Sequence, residues 1–255
     1  VLDKIFDDFK KNELSALMLT ASEPLLYKNI GHVLKRAEEA KIMDTFIFTN
    51  GSLLDRKKSE MIINSCVTRL FVSIDAATEE TYDKVRIPVG KNRLQSNRLE
   101  LLEKKIKDFI KLRNELGKKL PLTRVSFVAL KENQHEIEKF KEKWKGIVDS
   151  VEIQRETSIN LYKDIETLEK DKSYIPKNID YNCNKPWGDM AIYSDGRVGP
   201  CCNLVGRMSP IGNVNEKTVF EIWNGETMSK LREGFKNNSP NDICKICIDN
   251  QETNI

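Results

Sequence analysis

Leu17-Met18-Leu19-Thr20-Ala21-Ser22-Glu23-Pro24-Leu25-Leu26 is the stretch on which the fold turns. A short apolar run passes into a turn of small residues with one acid, and helical spacing of apolar residues follows from Tyr27 to Ala40. That is half of a βα unit. The pattern repeats downstream. Thr45-Phe46-Ile47-Phe48-Thr49 ends at Asn50-Gly51, with a helical stretch from Asp55 to Ser65 behind it. Arg69-Leu70-Phe71-Val72-Ser73-Ile74-Asp75 is another strand, and Thr78-Glu79-Glu80-Thr81 reads as a capped helix start. Arg124 to Leu130 and Ser150 to Gln154 supply two more strands. Strands alternating with helices predict a parallel sheet, open or closed into a barrel, with functional groups where the strands end.

Those ends are all small or polar: Thr20-Ala21-Ser22-Glu23, Thr49-Asn50-Gly51, Ser73-Ile74-Asp75, and Asn133 after the fourth strand. Such a rim suits a ligand with a charged amino-acid end and a ribose. Each motif alone is an ordinary turn or cap, and their order along the chain is the stronger signal.

Outward from this core, Val1 to Leu14 predicts a surface helix with Ile5, Phe6 and Phe9 on one face. A longer helix carries Leu101, Leu102, Ile106, Phe109, Ile110 and Leu112 on its dry side and Lys104, Lys105 and Lys111 on its wet side. Cys66 stands alone at a helix end and reads as a small core residue. His32 and His135 lie in charged helical contexts, where a solvated or capping role is expected. Trp144, Trp187 and Trp223 read as core residues or as shielding for a cluster. Lys163 to Lys177 is polar and without a period, a linker that divides the chain into a barrel portion, 1–170, and a tail, 171–255.

The tail holds five of the six cysteines. Met190 to Tyr193 has strand spacing, Ser194-Asp195-Gly196-Arg197 signals a hairpin turn, and Val198-Gly199-Pro200 returns the chain to Cys201-Cys202. A two-strand ribbon would therefore bring Cys183 beside Cys201. A single helix from Thr218 to Phe235 then delivers Cys244-Lys245-Ile246-Cys247, a C-x-x-C knuckle. Four such thiolates suit tetrahedral zinc or an iron–sulfur cluster. Either member of the Cys201-Cys202 pair serves as ligand, and Cys201 is favoured. Disulfides fit less well, because nothing in the chain resembles a signal peptide.

The 255 residues are ample for a core, and 42 Lys and Arg against 39 Asp and Glu give a formal net charge of +3. That balance points to no nucleic-acid partner. No apolar run is long enough to span a bilayer, so a cytoplasmic protein without a membrane partner is expected.

In the tail, the order Cys-x-x-Pro-Trp, Ile-Tyr-x-Asp-Gly-x-Val-x-Pro-Cys-Cys, Ile-Gly-Asn, Glu-Ile-Trp-Asn, Leu-Arg and Cys-x-x-Cys resembles the SPASM/twitch domain that follows many radical S-adenosylmethionine barrels. Upstream, Ala21-Ser22-Glu23-Pro24 stands where that family has Gly-Gly-Glu-Pro, with both glycines replaced. The resemblance implies an α/β fold: a partial (β/α)6 TIM-like barrel lacking its first strand, followed by a small α+β SPASM/twitch cluster domain. It implies an S-adenosylmethionine site at Ala21, Ser22, Glu23, Thr49, Asn50, Ser73 and Asp75, with Arg86 or Arg93 as the cation for the cofactor carboxylate, Arg86 being the choice. One auxiliary 4Fe-4S cluster would be held by Cys183, Cys201, Cys244 and Cys247.

The family's reactive cluster is bound by Cys-x-x-x-Cys-x-x-Cys, a spacing this sequence lacks. A chain that opens on Val1 is expected to have lost the upstream segment with the first strand, that motif and a second 4Fe-4S cluster. The implied activity is that of an oxidoreductase in which a 5′-deoxyadenosyl radical takes hydrogen from a small-molecule or peptide substrate. An electron donor such as flavodoxin or ferredoxin would serve it. Two rivals share the residues: a zinc or iron–sulfur binding module, and a scaffold without radical chemistry.

Overall fold

The computed structural model describes residues 1–20, 22–87, 96–155, 179–201 and 209–252. The chain falls into two compact units, one spanning Glu13–Glu156 and the other joining Val1–Asn12 to Thr157–Ile255. The expected domain boundary at 170/171 and the linker at 163–177 lie outside the described residues.

The first helix, α1 (Leu2–Lys11), belongs to the second of these units and buries Phe6 and Phe9. The Glu13–Glu156 unit then runs β1 (Ala16–Leu19), α2 (Ile30–Glu39), β2 (Asp44–Thr49), α3 (Arg56–Ile63), β3 (Arg69–Ser73), α4 (Glu79–Val85), α5 (Arg98–Glu115), β4 (Leu122–Ala129), α6 (Ile137–Trp144) and β5 (Ser150–Arg155). All five strands are parallel and lie in sequence order, β1-β2-β3-β4-β5. Each helical crossover therefore advances one strand in the same direction, as in a (β/α) barrel. A doubly wound sheet would reverse its order at a switch point.

Strand alternation sorts the two faces. In β2, Thr45, Ile47 and Thr49 are buried while Phe46 and Phe48 are half-buried. Ile47, Leu70, Val72, Val125 and Phe127 pack with Leu34, Ile62, Leu102, Ile106, Phe109, Phe140 and Trp144 into one helix-side core. On the other face Phe48 meets Phe71 edge-on at 4.7 Å, and the Arg124 guanidinium sits 3.6 Å from the Phe71 ring centroid and 2.7 Å from Glu152.

The 18-residue α5 departs from expectation in two ways. Leu101 is 41% exposed, whereas Glu103 and Arg113 are buried. Both charges are compensated: Glu103 pairs with Lys143, and Arg113 reaches Asp149 at 2.6 Å and the Pro121 carbonyl at 2.9 Å. A binary pattern misses such cases, because a charge goes inside when a partner from another element meets it there.

The tail continues with α7 (Lys185–Gly188), β6 (Ala191–Ile192), β7 (Arg197–Gly199), β8 (Gly212–Asn213), α8 (Val219–Trp223), α9 (Glu226–Lys236) and α10 (Asp242–Glu252). The three strands form an antiparallel sheet in order β6-β7-β8. Its hairpin turn requires Gly196, at φ 86°, where an added Cβ would stand 2.1 Å from Asn215 Nδ2. The single helix expected from Thr218 to Phe235 is two helices. Thr218 and Glu221 form a capping box on α8, and the chain breaks at Asn224-Gly225, where an added Cβ would lie 3.0 Å from the Glu221 carbonyl. Asp8 of α1 accepts the Phe220 N–H at 2.9 Å, tying the first helix to α8. Among the described residues no helix is long and apolar enough to cross a membrane.

Candidate functional site

Glu23 leaves β1 with its carboxylate almost wholly buried, 8% exposed. Its Oε1 accepts from Leu25 N–H at 3.1 Å and Thr49 Oγ1 at 2.7 Å, and Oε2 accepts from Asn50 N–H at 2.7 Å. Thr49 Oγ1 in turn accepts from Gly51 N–H at 3.0 Å, and Asn50 Oδ1 from Ser52 N–H at 2.9 Å. Three of the expected residues, Glu23, Thr49 and Asn50, are thus one hydrogen-bonded set at the C-terminal ends of β1 and β2. Ser22, exposed and at φ 52°, turns the chain into this set. Ala21 and Arg93 lie outside the described residues.

Ser73 is half-buried in register with Ser126, and Asp75 is 7% exposed with a left-handed φ of 66°. Asp75 Oδ1 accepts from Val128 N–H at 2.8 Å while Oδ2 pairs with Arg86 Nη2 at 2.5 Å. Both oxygens have protein partners, and one of them tethers Arg86. Asn133 Nδ2 donates to the Asp75 and Val128 carbonyls, and Glu136 accepts from Ala77 N–H at 2.6 Å. Burial pushes the Glu136 carboxyl up, but hydrogen bonds from Thr78 Oγ1, Ala77 N–H, Thr81 and Thr78 N–H outweigh it and hold the group below the usual carboxylate range. Glu136 sits in a charged run and its partners are far away in sequence, which leaves no local signal to find it by.

The rim fits an amino-acid end. Among the described residues Glu23 Oε2 accepts from one donor, the Asn50 N–H, and it has acceptor capacity for an ammonium. The Arg86 side chain, 32% exposed, supplies a planar cation for a carboxylate.

In the tail unit Cys244 and Cys247 lie one turn apart on α10, a helical C-x-x-C where a knuckle had been expected. Cys183 and Cys244 pack against the apolar cluster of Tyr181, Met228, Leu231, Phe235 and Ile248. Burial pushes the Cys244 thiol up to about 12, and charge on Cys201, Cys247 and Cys183 adds to the effect. Cys202 lies outside the described residues, and no disulfide joins the five described cysteines. Among the described residues no three His, Cys, Asp or Glu side chains are set to hold one metal ion. A 4Fe-4S cluster asks less proximity of its ligands, since each thiolate binds a different iron. Four half-buried thiols, two of them beside an apolar wall, match the chemistry of that donor set.

Of the tryptophans, Trp144 is core at 1% exposed, but Trp187 is 43% exposed and meets Phe235 edge-on. Trp223 lies under the Arg232 guanidinium, 4.3 Å from its ring centroid. Arg232 also donates to the Pro186 carbonyl at 2.9 Å and the Trp223 carbonyl at 3.0 Å, which ties α7 and α8 to α9 around the thiols.

Comparison with known proteins follows the same division. The sequence profile of the radical SAM superfamily matches residues 1–143. The chain belongs to the radical SAM superfamily. The profile of SPASM, an iron-sulfur cluster-binding domain, matches residues 183–248. Together the two matches imply S-adenosylmethionine and 4Fe-4S clusters as the cofactors of this radical SAM chain. A curated relative is the S-adenosyl-L-methionine-dependent tRNA 4-demethylwyosine synthase of Pyrococcus horikoshii, 33% identical over 78 residues, which are 31% of this chain and 22% of that protein. Among solved structures, Streptococcus suis SuiB bound to S-adenosylmethionine superposes with a TM-score of 0.64 at 18% identity, covering 96% of this chain and 63% of SuiB. SuiB bound to precursor peptide SuiA gives 0.61 at 18% identity, covering 96% and 62%. The radical SAM chain thus spans less than a quarter of the curated relative and under two thirds of SuiB, and the likeness to SuiB is one of fold.

Proposed function

We propose that this chain works as a radical S-adenosylmethionine oxidoreductase on a peptide segment, with Cys183, Cys201, Cys244 and Cys247 holding an auxiliary 4Fe-4S cluster. The observation that carries the reading is the pairing, along one edge of one parallel sheet, of a buried acceptor, Glu23, with a tethered cation, Arg86. They complement the ammonium and carboxylate of the methionyl group. When bound and reduced by one electron, S-adenosylmethionine supplies a 5′-deoxyadenosyl radical for hydrogen abstraction. The chain's own residues orient that cofactor: Glu23 and Thr49 set one loop, Asp75 and Arg86 the next, and Ser73 faces the ribose side. In the tail, the apolar wall of Tyr181, Leu231 and Phe235 would limit water around an auxiliary cluster held by these thiols, and the cluster would supply a centre for accepting an electron or for placing substrate.

The fold shared with SuiB, a protein solved with a precursor peptide, supports the peptide substrate. A tRNA substrate finds less support, because a net charge of +3 gives little attraction for a phosphate backbone. A flavodoxin- or ferredoxin-type donor would provide the electron.

The test is iron and acid-labile sulfide analysis of the anaerobically purified protein, with dithionite-driven conversion of S-adenosylmethionine to methionine and 5′-deoxyadenosine by the natural full-length gene product. About four irons in this 255-residue chain together with cleavage by the full-length protein are expected. One zinc and no iron would return the tail to a structural ribbon. Iron without cleavage would leave a carrier or scaffold.

A further inference from the structure

Two connections on the rim are locked to each other by buried side chains. Asn133, fully buried, donates Nδ2 to the Asp75 carbonyl at 2.8 Å and to the Val128 carbonyl at 2.9 Å, and its Oδ1 accepts from Leu130 N–H at 2.7 Å. Glu136, 5% exposed, accepts from Ala77 N–H at 2.6 Å, Thr78 N–H at 3.2 Å and Thr78 Oγ1. The β4–α6 connection therefore grips the β3–α4 connection at both Asp75 and the N-cap of α4.

What lies beyond those grips is short and weakly held by itself. α4 has seven residues, and Thr81 is the only one of them that is buried. A helix of about two turns with so little core contact takes its direction from its ends. Its N-cap is the anchored Thr78, its C-cap is Arg86, and the Arg86 guanidinium returns to Asp75 at 2.5 Å. Asp75 itself occupies left-handed backbone at φ 66°, a conformation costing a non-glycine residue on the order of 1 kcal/mol unless its surroundings fix it. The Asn133 amide and the Val128 N–H provide that fixing. The circuit is closed: Asn133 to Asp75, Glu136 to Thr78, Thr78 through α4 to Arg86, and Arg86 back to Asp75. In buried surroundings such linked hydrogen bonds reinforce one another, and partial loss is costly.

We propose that Asp75, Asn133 and Glu136 are positioning residues that influence cofactor affinity only through Arg86, by presenting its guanidinium to the carboxylate of an amino-acid ligand. The inference rests on the reading of this rim as an S-adenosylmethionine site. It differs from that reading in denying Asp75 a ligand contact of its own.

Equilibrium dialysis of S-adenosylmethionine against the anaerobic holoprotein, without reductant, reads affinity apart from turnover. Asp75→Asn keeps an acceptor for Val128 N–H but releases Arg86, and Arg86→Gln removes the cation; each is expected to weaken binding about tenfold. The double variant is expected to be no weaker than Arg86→Gln alone, since both changes remove one interaction. Glu136→Ala is expected to weaken binding in the wild-type background and not in Arg86→Gln. Additive losses in the Asp75/Arg86 cycle would overturn the proposal and make Asp75 a direct ligand. So would an Asp75→Asn protein of unchanged affinity. Wild-type protein that binds no S-adenosylmethionine would remove the reading of the rim itself, and the proposal with it.

Discussion

Glu23 is a carboxylate with three protein donors and one oxygen still able to accept, and replacing it by Gln tests both features at once. The amide keeps an acceptor for Thr49 or Asn50 but turns an N–H₂ toward donors that have no use for it and removes the charge. S-adenosylmethionine affinity is expected to fall by tenfold or more, from the loss of one charged hydrogen bond at about 1.5–3 kcal/mol. Isothermal titration of the anaerobic protein measures it. Cys244 sits against the apolar cluster of the tail, and burial pushes its thiol up to about 12. Cys244→Ala is expected to remove most of the auxiliary iron, while the full-length protein still cleaves S-adenosylmethionine. Iron analysis beside 5′-deoxyadenosine formation separates the two, and unchanged iron would move the ligand set elsewhere. Glu23 and the candidate thiols stand out in the sequence through local patterns: an acid after a strand, a C-x-x-C pair, and two cysteines flanking a hairpin. Asn133, Glu136 and the double engagement of Asp75 were not, because hydrogen bonds between connections some 58 positions apart leave no periodic trace.

Elements were read to within a few residues where composition and period agree. β2 to β5 stand where runs such as Thr45 to Thr49 placed them, because β-branched and aromatic residues on a two-sided buried strand leave little alternative. β8 escaped, since two residues, Gly212-Asn213, carry no period. The break between α8 and α9 escaped because the apolar spacing runs straight through Gly225, and only the close approach of the Glu221 carbonyl enforces it. A comparable glycine in the barrel portion gives a sharper test. Gly51 follows Asn50 at φ 71°, and an added Cβ would stand 2.5 Å from Leu102 and 3.0 Å from Val72. Gly51→Ala is expected to destabilise the protein by roughly 2 kcal/mol through backbone strain and overpacking together. Its denaturant midpoint checks this, and a shift below about 0.5 kcal/mol would mean that the β2–α3 turn relaxes freely.

For the molecule as a whole, two compact units with separate cores predict separate responses to the cluster. A ligand that binds only folded protein stabilises the part that carries its site. Removing iron with a chelator is expected to lower the calorimetric transition of the thiol-bearing unit and leave that of Glu13–Glu156 in place. A single transition that shifts as one would show the units to be energetically coupled.

The union of Val1–Asn12 with the tail has a mechanical side. The β/α unit is spliced into its partner, so tension applied at Val1 and Glu252 runs first through α1, α8 and the thiol-bearing body. In an optical trap the seam between α1 and α8, closed by the Asp8–Phe220 hydrogen bond, is expected to part before the five-stranded sheet feels any load. That seam works as a clasp that keeps a pull on these two segments away from the sheet spliced between them.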